Sequence, residues 1–216
     1  MSDNRRHEVL LKIPAPAVLA RLGYSKGKTV LDAATAAAIV EETDIARKLI
    51  VPRQAIAHAP INRPGKSLIS LEPGLIISSA HIAGLLADCT VAYGFAVTIG
   101  PHVEEKRAQY LARKETFRAL ILDAIGSVAA EELAELTHES IRAEVAKDNQ
   151  VATPRFSPGY GDWGLSAQLD FLKWLAADQI GIRLTDHCQM VPEKSVSAIL
   201  GIRTANPPVS PFVKGG

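Results

Sequence analysis

Residues 91–99 read VAYGFAVTI, and their alternation is the strongest strand signal in the chain. Val91, Tyr93, Phe95, Val97 and Ile99 fall on one face of an extended segment, while Ala92, Gly94, Ala96 and Thr98 fall on the other. The stretch predicts a strand with one large face and one small face. A small face admits a close neighbour: the tight packing of a central strand, a helix backbone, or a ligand. Just upstream, residues 51–78 are short apolar pieces broken by Pro52, Pro60, Pro64, Gly65, Pro73 and Gly74, the punctuation of further strands and tight connections. Strands do not alternate regularly with helical patterns, which disfavours a doubly wound parallel sheet.

Helical patterns flank this β-rich middle. Residues 14–22 predict a short helix entered through Pro14 or Pro16, with Val18, Leu19 and Leu22 on one side and Gly23 as its cap. Residues 33–50 predict a second, Ala-rich helix whose apolar side carries Ile39, Val40, Ile45 and Leu49. Ser78 or Ser79 should cap a third over 80–87. From Pro101 to about Ala146 the pattern is helical, interrupted near 113–115, with Phe117, Ile121, Ala124, Ile125 and Val128 as the buried stripe. On that helix Glu131 projects about 60° from Val128 and Glu135 about 20°, so both carboxylates sit beside the stripe and require a partner. The loop AKDNQVATPRFSPGYGDWG follows, then a helix at about 165–177 with Leu169, Phe171, Leu172, Trp174 and Leu175 on its apolar side and Gly181 at its end. The remainder predicts two more short strands. Residues 1–204 are thus expected to form one domain, with a Pro/Gly-rich tail, poorly ordered, at 205–216.

Composition narrows the function classes. The 216 residues are 47% apolar and carry 24 Lys+Arg against 23 Asp+Glu, a formal charge of +1. This excludes the broad positive field of a general nucleic-acid or polybasic membrane binder. The N-terminus has no apolar run long enough for a signal peptide, the longest apolar stretch (residues 85–99) contains Asp88 and falls short of a membrane span, and Cys89 and Cys188 are too few for a disulfide scaffold and lack the paired spacing of a structural zinc site. A soluble protein of a reducing, cytoplasmic setting is expected.

The loop RFSPGYGDW (155–163) carries the chemistry. It combines a cation at Arg155, a Pro-Gly pair, a second glycine and two aromatics beyond Phe156. Pro158 and the glycines bend the backbone and expose its polar groups, Tyr160 offers a flat face with a hydroxyl, and Arg155 can clamp a carboxylate or phosphate. An ordinary turn whose aromatics cover the core fits the spacing equally well. Neither a Walker loop nor a dinucleotide fingerprint is present.

RFSPGYGDW followed by IGIRLTDHCQMVPEKSVSAILGI resembles the activation (reactivation) domain of cobalamin-dependent methionine synthase, and AYGFAVTIG with AEELAELTHESIR is similar to a strand and helix of that domain. The resemblance covers roughly residues 85–203; the first 80 residues, for instance VLARLGY, resemble only free-standing members. It implies a single α+β domain with a twisted, mainly antiparallel sheet flanked by helices. It also implies binding of S-adenosylmethionine through an Arg-x-x-x-Gly-Tyr motif, here Arg155, Gly159 and Tyr160, with Ser157 and Pro158 beside the adenine and Glu131 at the methionine ammonium. Such a site suits the ligand: a zwitterion needs one cation and one anion, and the sulfonium needs an absence of nearby positive charge. Gly161, Asp162 and Trp163 are candidates for a rim facing the corrinoid, although Asp162 and Trp163 also suit structural roles. Asp186 stands where the family has the glutamate of a Leu-Thr-Glu element, and no tyrosine follows the SVS strand.

The activity implied is reductive reactivation in methionine biosynthesis. An inactive cob(II)alamin takes an electron from a flavodoxin-like or other donor and is methylated by S-adenosylmethionine. No Asp-x-His-x-x-Gly cobalamin signature is present, so the cobalamin would be carried by a partner methionine synthase. The alternatives are the same role toward another corrinoid methyltransferase, or a non-catalytic sensor of S-adenosylmethionine or escort of a corrinoid protein. No residue of the chain need act as acid or base. Among the remaining residues, His187 and Cys188 on a strand would point to opposite faces and make a poor metal pair, so no metal is expected. Cys89 reads as a buried small hydrophobe, His138 as a surface or cap residue, and Glu104, Glu105, Lys106 and Arg107 as a solvated helix face.

Overall fold

The computed structural model describes residues 11–25 and 28–205. In chain order its elements are α1 (Ala15–Arg21), α2 (Ala33–Leu49), β1 (Arg53–Gly65), β2 (Leu68–Leu71), β3 (Leu75–Ser78), α3 (Ala80–Leu85) and β4 (Val91–Thr98). There follow α4 (His102–Ala112), α5 (Thr116–Ala146), β5 (Gln150–Ala152), α6 (Gln168–Trp174), β6 (Arg183–Leu184), β7 (Met190–Val191) and β8 (Ser195–Thr204). Six strands form one sheet in the order β3-β2-β1-β4-β8-β5 with every neighbour antiparallel, and β6 and β7 make a separate hairpin. This is the expected α+β architecture, with helices on both faces of a mainly antiparallel sheet.

The two faces of β4 receive different cores. Phe95, Val97 and Ile99 are buried among residues of α5 and β8, including Ile121, Ile125 and Leu200. Ala92 and Ala96 are buried against Phe171, Leu172 and Leu175 of the α6 region, and between them a Cβ at Gly94 would lie 2.6 Å from Trp174 and 2.9 Å from Phe171. The neighbour admitted by the small face is therefore a pair of aromatic rings.

Local signals fix several boundaries. Asp32 caps α2 by accepting from the Thr35 N–H at 2.9 Å, and Ser79 caps α3 by accepting from Ile82 at 3.0 Å. Gly23 ends α1 with φ of 84°, and Lys114, at φ of 63°, breaks α4 from α5 inside the expected 113–115 interval.

Other expectations fail for tertiary reasons. On α2 the buried positions are Thr35, Ile39, Glu42 and Ala46, while Val40 is exposed. Phe117 is 51% exposed, and burial on α5 begins only at Ala119. The 165–177 helix is a short 3-10 turn followed by α6; Ala176, at φ of 51°, stops it, a second 3-10 turn runs to Gly181, and Leu169 is exposed. The final segment, expected as short strands, ends in the ten-residue β8 beside β4, and part of the expected loop is the edge strand β5. His187 and Cys188 lie in the β6–β7 turn, where the Cys188 N–H donates to Thr185, rather than on a strand. His138 is buried beside the Thr153 carbonyl at 3.2 Å, and Cys89 is buried as expected. The expected tail, but for Ala205, lies outside the described residues, as do residues 1–10. Among the described residues no helix is long and apolar enough to cross a membrane, and no group of His, Cys, Asp and Glu could hold a metal ion.

Candidate functional site

The 155–163 loop is tied down residue by residue. Phe156 exchanges two backbone hydrogen bonds with Ile199 of β8, both 2.8 Å, which leaves Arg155 and Ser157 flanking a fixed point. The Gly159 N–H donates to the Trp163 carbonyl at 2.7 Å and the Trp163 N–H donates to Tyr160 at 3.1 Å, closing a tight turn that Gly159 (φ of 94°) and Gly161 (φ of 55°) make feasible. Trp163 anchors the turn: it is 2% exposed and meets Phe171 edge-on at 5.2 Å between ring centroids. It is enclosed and presents no rim. A Cβ at Gly161 would lie 3.0 Å from His81, so this glycine also serves close packing.

Asp162 clamps the turn to the start of α3. Its carboxylate accepts from the Ser79 hydroxyl at 2.5 Å and the Ala80 N–H at 2.6 Å, and sits 3.1 Å from His81 Nδ1. The Ser79 hydroxyl first, then the Ala80 and His81 donors, outweigh partial burial and hold its pKa at about 2. A depressed carboxyl contributes stability above its unfolded pKa of about 4, and that contribution is lost as pH falls toward about 2. Urea denaturation should therefore show a stability gap between the wild-type protein and Asp162→Asn that is constant near neutrality and shrinks from pH 4 downward. A gap independent of pH would contradict the clamp.

Beside the loop lies a cleft of about 620 Å³. Glu131 of α5, Ser157, Pro158 and Tyr160 line one side; Leu165, Gln168, the β6–β7 hairpin and residues 193–197 line the rest. Four of the six residues expected to bind a ligand thus face one space. Gly159 supplies the turn between them. Arg155 lies in an adjoining recess of about 290 Å³ with Arg21, Glu132 and Glu135, and Glu131 borders both spaces. The partner demanded by the carboxylates of α5 is Arg155: its Nη2 is 3.1 Å from Glu131 and 3.5 Å from Glu135. Tyr160 is 68% exposed, its ring free to be covered.

The sequence reading missed the part of the wall formed by residues 193–197. The Lys194 N–H donates to Glu104 at 2.9 Å, and the Lys194 ammonium donates to Asp123 at 2.7 Å and Ser127 at 3.0 Å. Arg107 bridges Asp123 and Glu193. Burial pushes the Asp123 carboxyl up, but the bonds from Lys194 and Arg107 prevail and leave it below its ordinary value; burial raises that of Glu104. Glu104 and Arg107 are accordingly not a solvated face. They brace Glu193 and Lys194, which a strand-by-strand reading of EKSVS gives no means of seeing.

The chain's fold is similar to a solved structure, described as the crystal structure of the MetH reactivation domain bound to AdoHcy, with a TM-score of 0.66 and 16% identity over 90% of this chain and 74% of that one. No curated protein matches the sequence. Residues 86–212 match the family described as vitamin B12 dependent methionine synthase, activation domain. That match runs over more than half of the chain, from the end of α3 through the helix, loop and strand that build the cleft, and the chain belongs to this family of activation domains.

Proposed function

We propose that the cleft binds S-adenosylmethionine and that the chain supports reductive methylation of a cobalamin carried by a partner methionine synthase. The observation that carries the reading is the Arg155–Glu131 ion pair at the border of the cleft. A zwitterionic amino-acid group fits between these two side chains, its carboxylate replacing Glu131 as the partner of Arg155 and its ammonium replacing Arg155 as the partner of Glu131. One ion pair becomes two, and Glu135 remains beside the guanidinium, 3.5 Å from Nη2. The remaining wall suits the nucleoside: Ser157 and Pro158 offer backbone groups to an adenine, and Tyr160 a flat face to cover it. A volume of about 620 Å³ is within the range of small-molecule sites. AdoHcy, held by the structurally similar reactivation domain, is the demethylated product of S-adenosylmethionine.

Bound S-adenosylmethionine supplies an electrophilic methyl group, and the reduced corrinoid of the partner supplies the nucleophile. The residues of this chain then have to orient the sulfonium and exclude water, which is catalysis by proximity rather than by proton transfer. A flavodoxin-like or other donor would provide the electron. Because a charge-assisted bidentate contact contributes about 2 kcal/mol, Arg155→Ala should weaken S-adenosylmethionine binding about thirtyfold by calorimetry. Unchanged affinity would overturn the site. Mixed with a cob(II)alamin-bearing methionine synthase, a reductant and S-adenosylmethionine, the wild-type protein should convert the corrin absorbance to that of the methylated form; no conversion would leave a binding role only.

A further inference from the structure

Asp123, Ser127, Glu131 and Glu135 recur every fourth residue on α5 and so stack along one edge, each about one turn, roughly 5–6 Å, from the next. The row is divided between Arg155 and Lys194, with Arg107, which also holds Glu193, sharing Asp123. Arg155 takes Glu131 and Glu135, and Lys194 takes Asp123 and Ser127. Lys194 lines the cleft, yet its side chain is only 11% exposed and its ammonium is turned onto α5. Gly126 allows this path: a Cβ there would lie 3.3 Å from Cγ and 3.4 Å from Cε of the lysine. A positive charge one helical turn from Glu131 is thus neutralised and directed away from the cleft.

The geometry points to Asp123 as a specificity-determining residue that, by holding the Lys194 ammonium against α5, keeps a second positive charge besides Arg155 out of the cleft and so lets it accept a cationic sulfonium ligand. The inference rests on the reading of the cleft as the S-adenosylmethionine site. S-adenosylmethionine and S-adenosylhomocysteine differ by the methyl group and the sulfonium charge it confers, so the ratio of their affinities isolates the electrostatic effect from loss of shape.

Both ligands would be titrated into the wild-type protein, Asp123→Asn and Asp123→Asn/Lys194→Met. In Asp123→Asn the lysine keeps its charge and loses its anionic partner while Arg107 retains Glu193, and the preference for S-adenosylmethionine over S-adenosylhomocysteine should fall about fivefold, as expected for an added unit charge several ångströms away in a partly solvated cleft. The double variant should restore the wild-type ratio. A merely structural role would weaken both ligands alike, so an unchanged ratio in Asp123→Asn, or a ratio that the double variant does not restore, overturns the inference. Should Asp123→Asn fail to fold, Ser127→Ala removes the second tether, and the ratio should fall about twofold; no change there is equally fatal. Failure of the wild-type protein to bind either ligand would instead overturn the reading of the cleft, and this inference with it.

Discussion

Replacing Gly94 by alanine should destabilise the protein by about 3 kcal/mol, at the upper end of the cost of overpacking one methyl group. The new Cβ would lie 2.6 Å from Trp174 Cζ3 and 2.9 Å from Phe171 Cε2, and neither ring can retreat without cost. Phe171 is fully buried, edge-on to Trp163 and stacked on Trp174, and the Trp174 indole N–H donates to the Glu72 carbonyl at 3.1 Å. Strand β4 cannot retreat either, since Gly94 pairs with Ala57 on one side and Ile199 on the other. Alanine would recover about 0.5 kcal/mol through the unfolded chain, too little to offset the clash. Urea denaturation of Gly94→Ala, Trp174→Leu and the double variant should give a coupling of at least 1 kcal/mol, because trimming the indole opens the space the methyl needs. Additive effects would show that the strand and α6 are not packed this closely. The same aromatic layer carries Trp163, so loosening it should also loosen the turn that sets Tyr160 beside the cleft.

What the sequence disclosed follows from the range of the interactions involved. Strand β4 was legible because alternation is local, and the break at Lys114 because the helical pattern itself lapses there. The demand of Glu131 and Glu135 for a partner followed from helical geometry, and Arg155, twenty-odd residues on, meets it. The segment of β8 was read as strand but not its ten-residue length: Ala198 to Ile202 are buried on both faces, which erases alternation and leaves an apolar run of ambiguous period. Val40 and Phe117 were misplaced for the opposite reason, since a helical pattern marks a stripe without telling which apolar residues at its margin the neighbouring elements cover. The charged brace of Glu104, Arg107, Asp123, Glu193 and Lys194 joins positions up to 90 residues apart. Pairings of that kind leave no periodic trace in a single sequence.

A second long-range pairing, at Glu42, yields the second prediction: Glu42→Ala should cost about 3 kcal/mol, the penalty for breaking a buried ion pair from one side. Glu42 is fully buried on α2 at a position where helical periodicity alone would place an aliphatic residue. Its carboxylate accepts from the Tyr110 hydroxyl of α4 at 3.1 Å and from Arg118 Nε of α5, and Arg118 also reaches Glu41 at 2.7 Å and lies over the Tyr110 ring. One side chain therefore joins three helices. Its loss would leave a buried hydroxyl without an acceptor and a cavity behind it, while Arg118, a third exposed, recovers part of its hydration; this keeps the estimate at the lower end of the known range. Asp44→Ala on the same helix removes only the exposed pair with Arg47 and should change stability by less than about 1 kcal/mol. Salt separates the two as well: the cost of Glu42→Ala should persist in 1 M NaCl, where exposed pairs are screened. An effect of Glu42→Ala no larger than that of Asp44→Ala would mean that the carboxylate does not join α2 to α4 and α5. Since α5 also presents Glu131, the same variant should weaken S-adenosylmethionine binding only through loss of folded protein, leaving the affinity of the folded fraction unchanged.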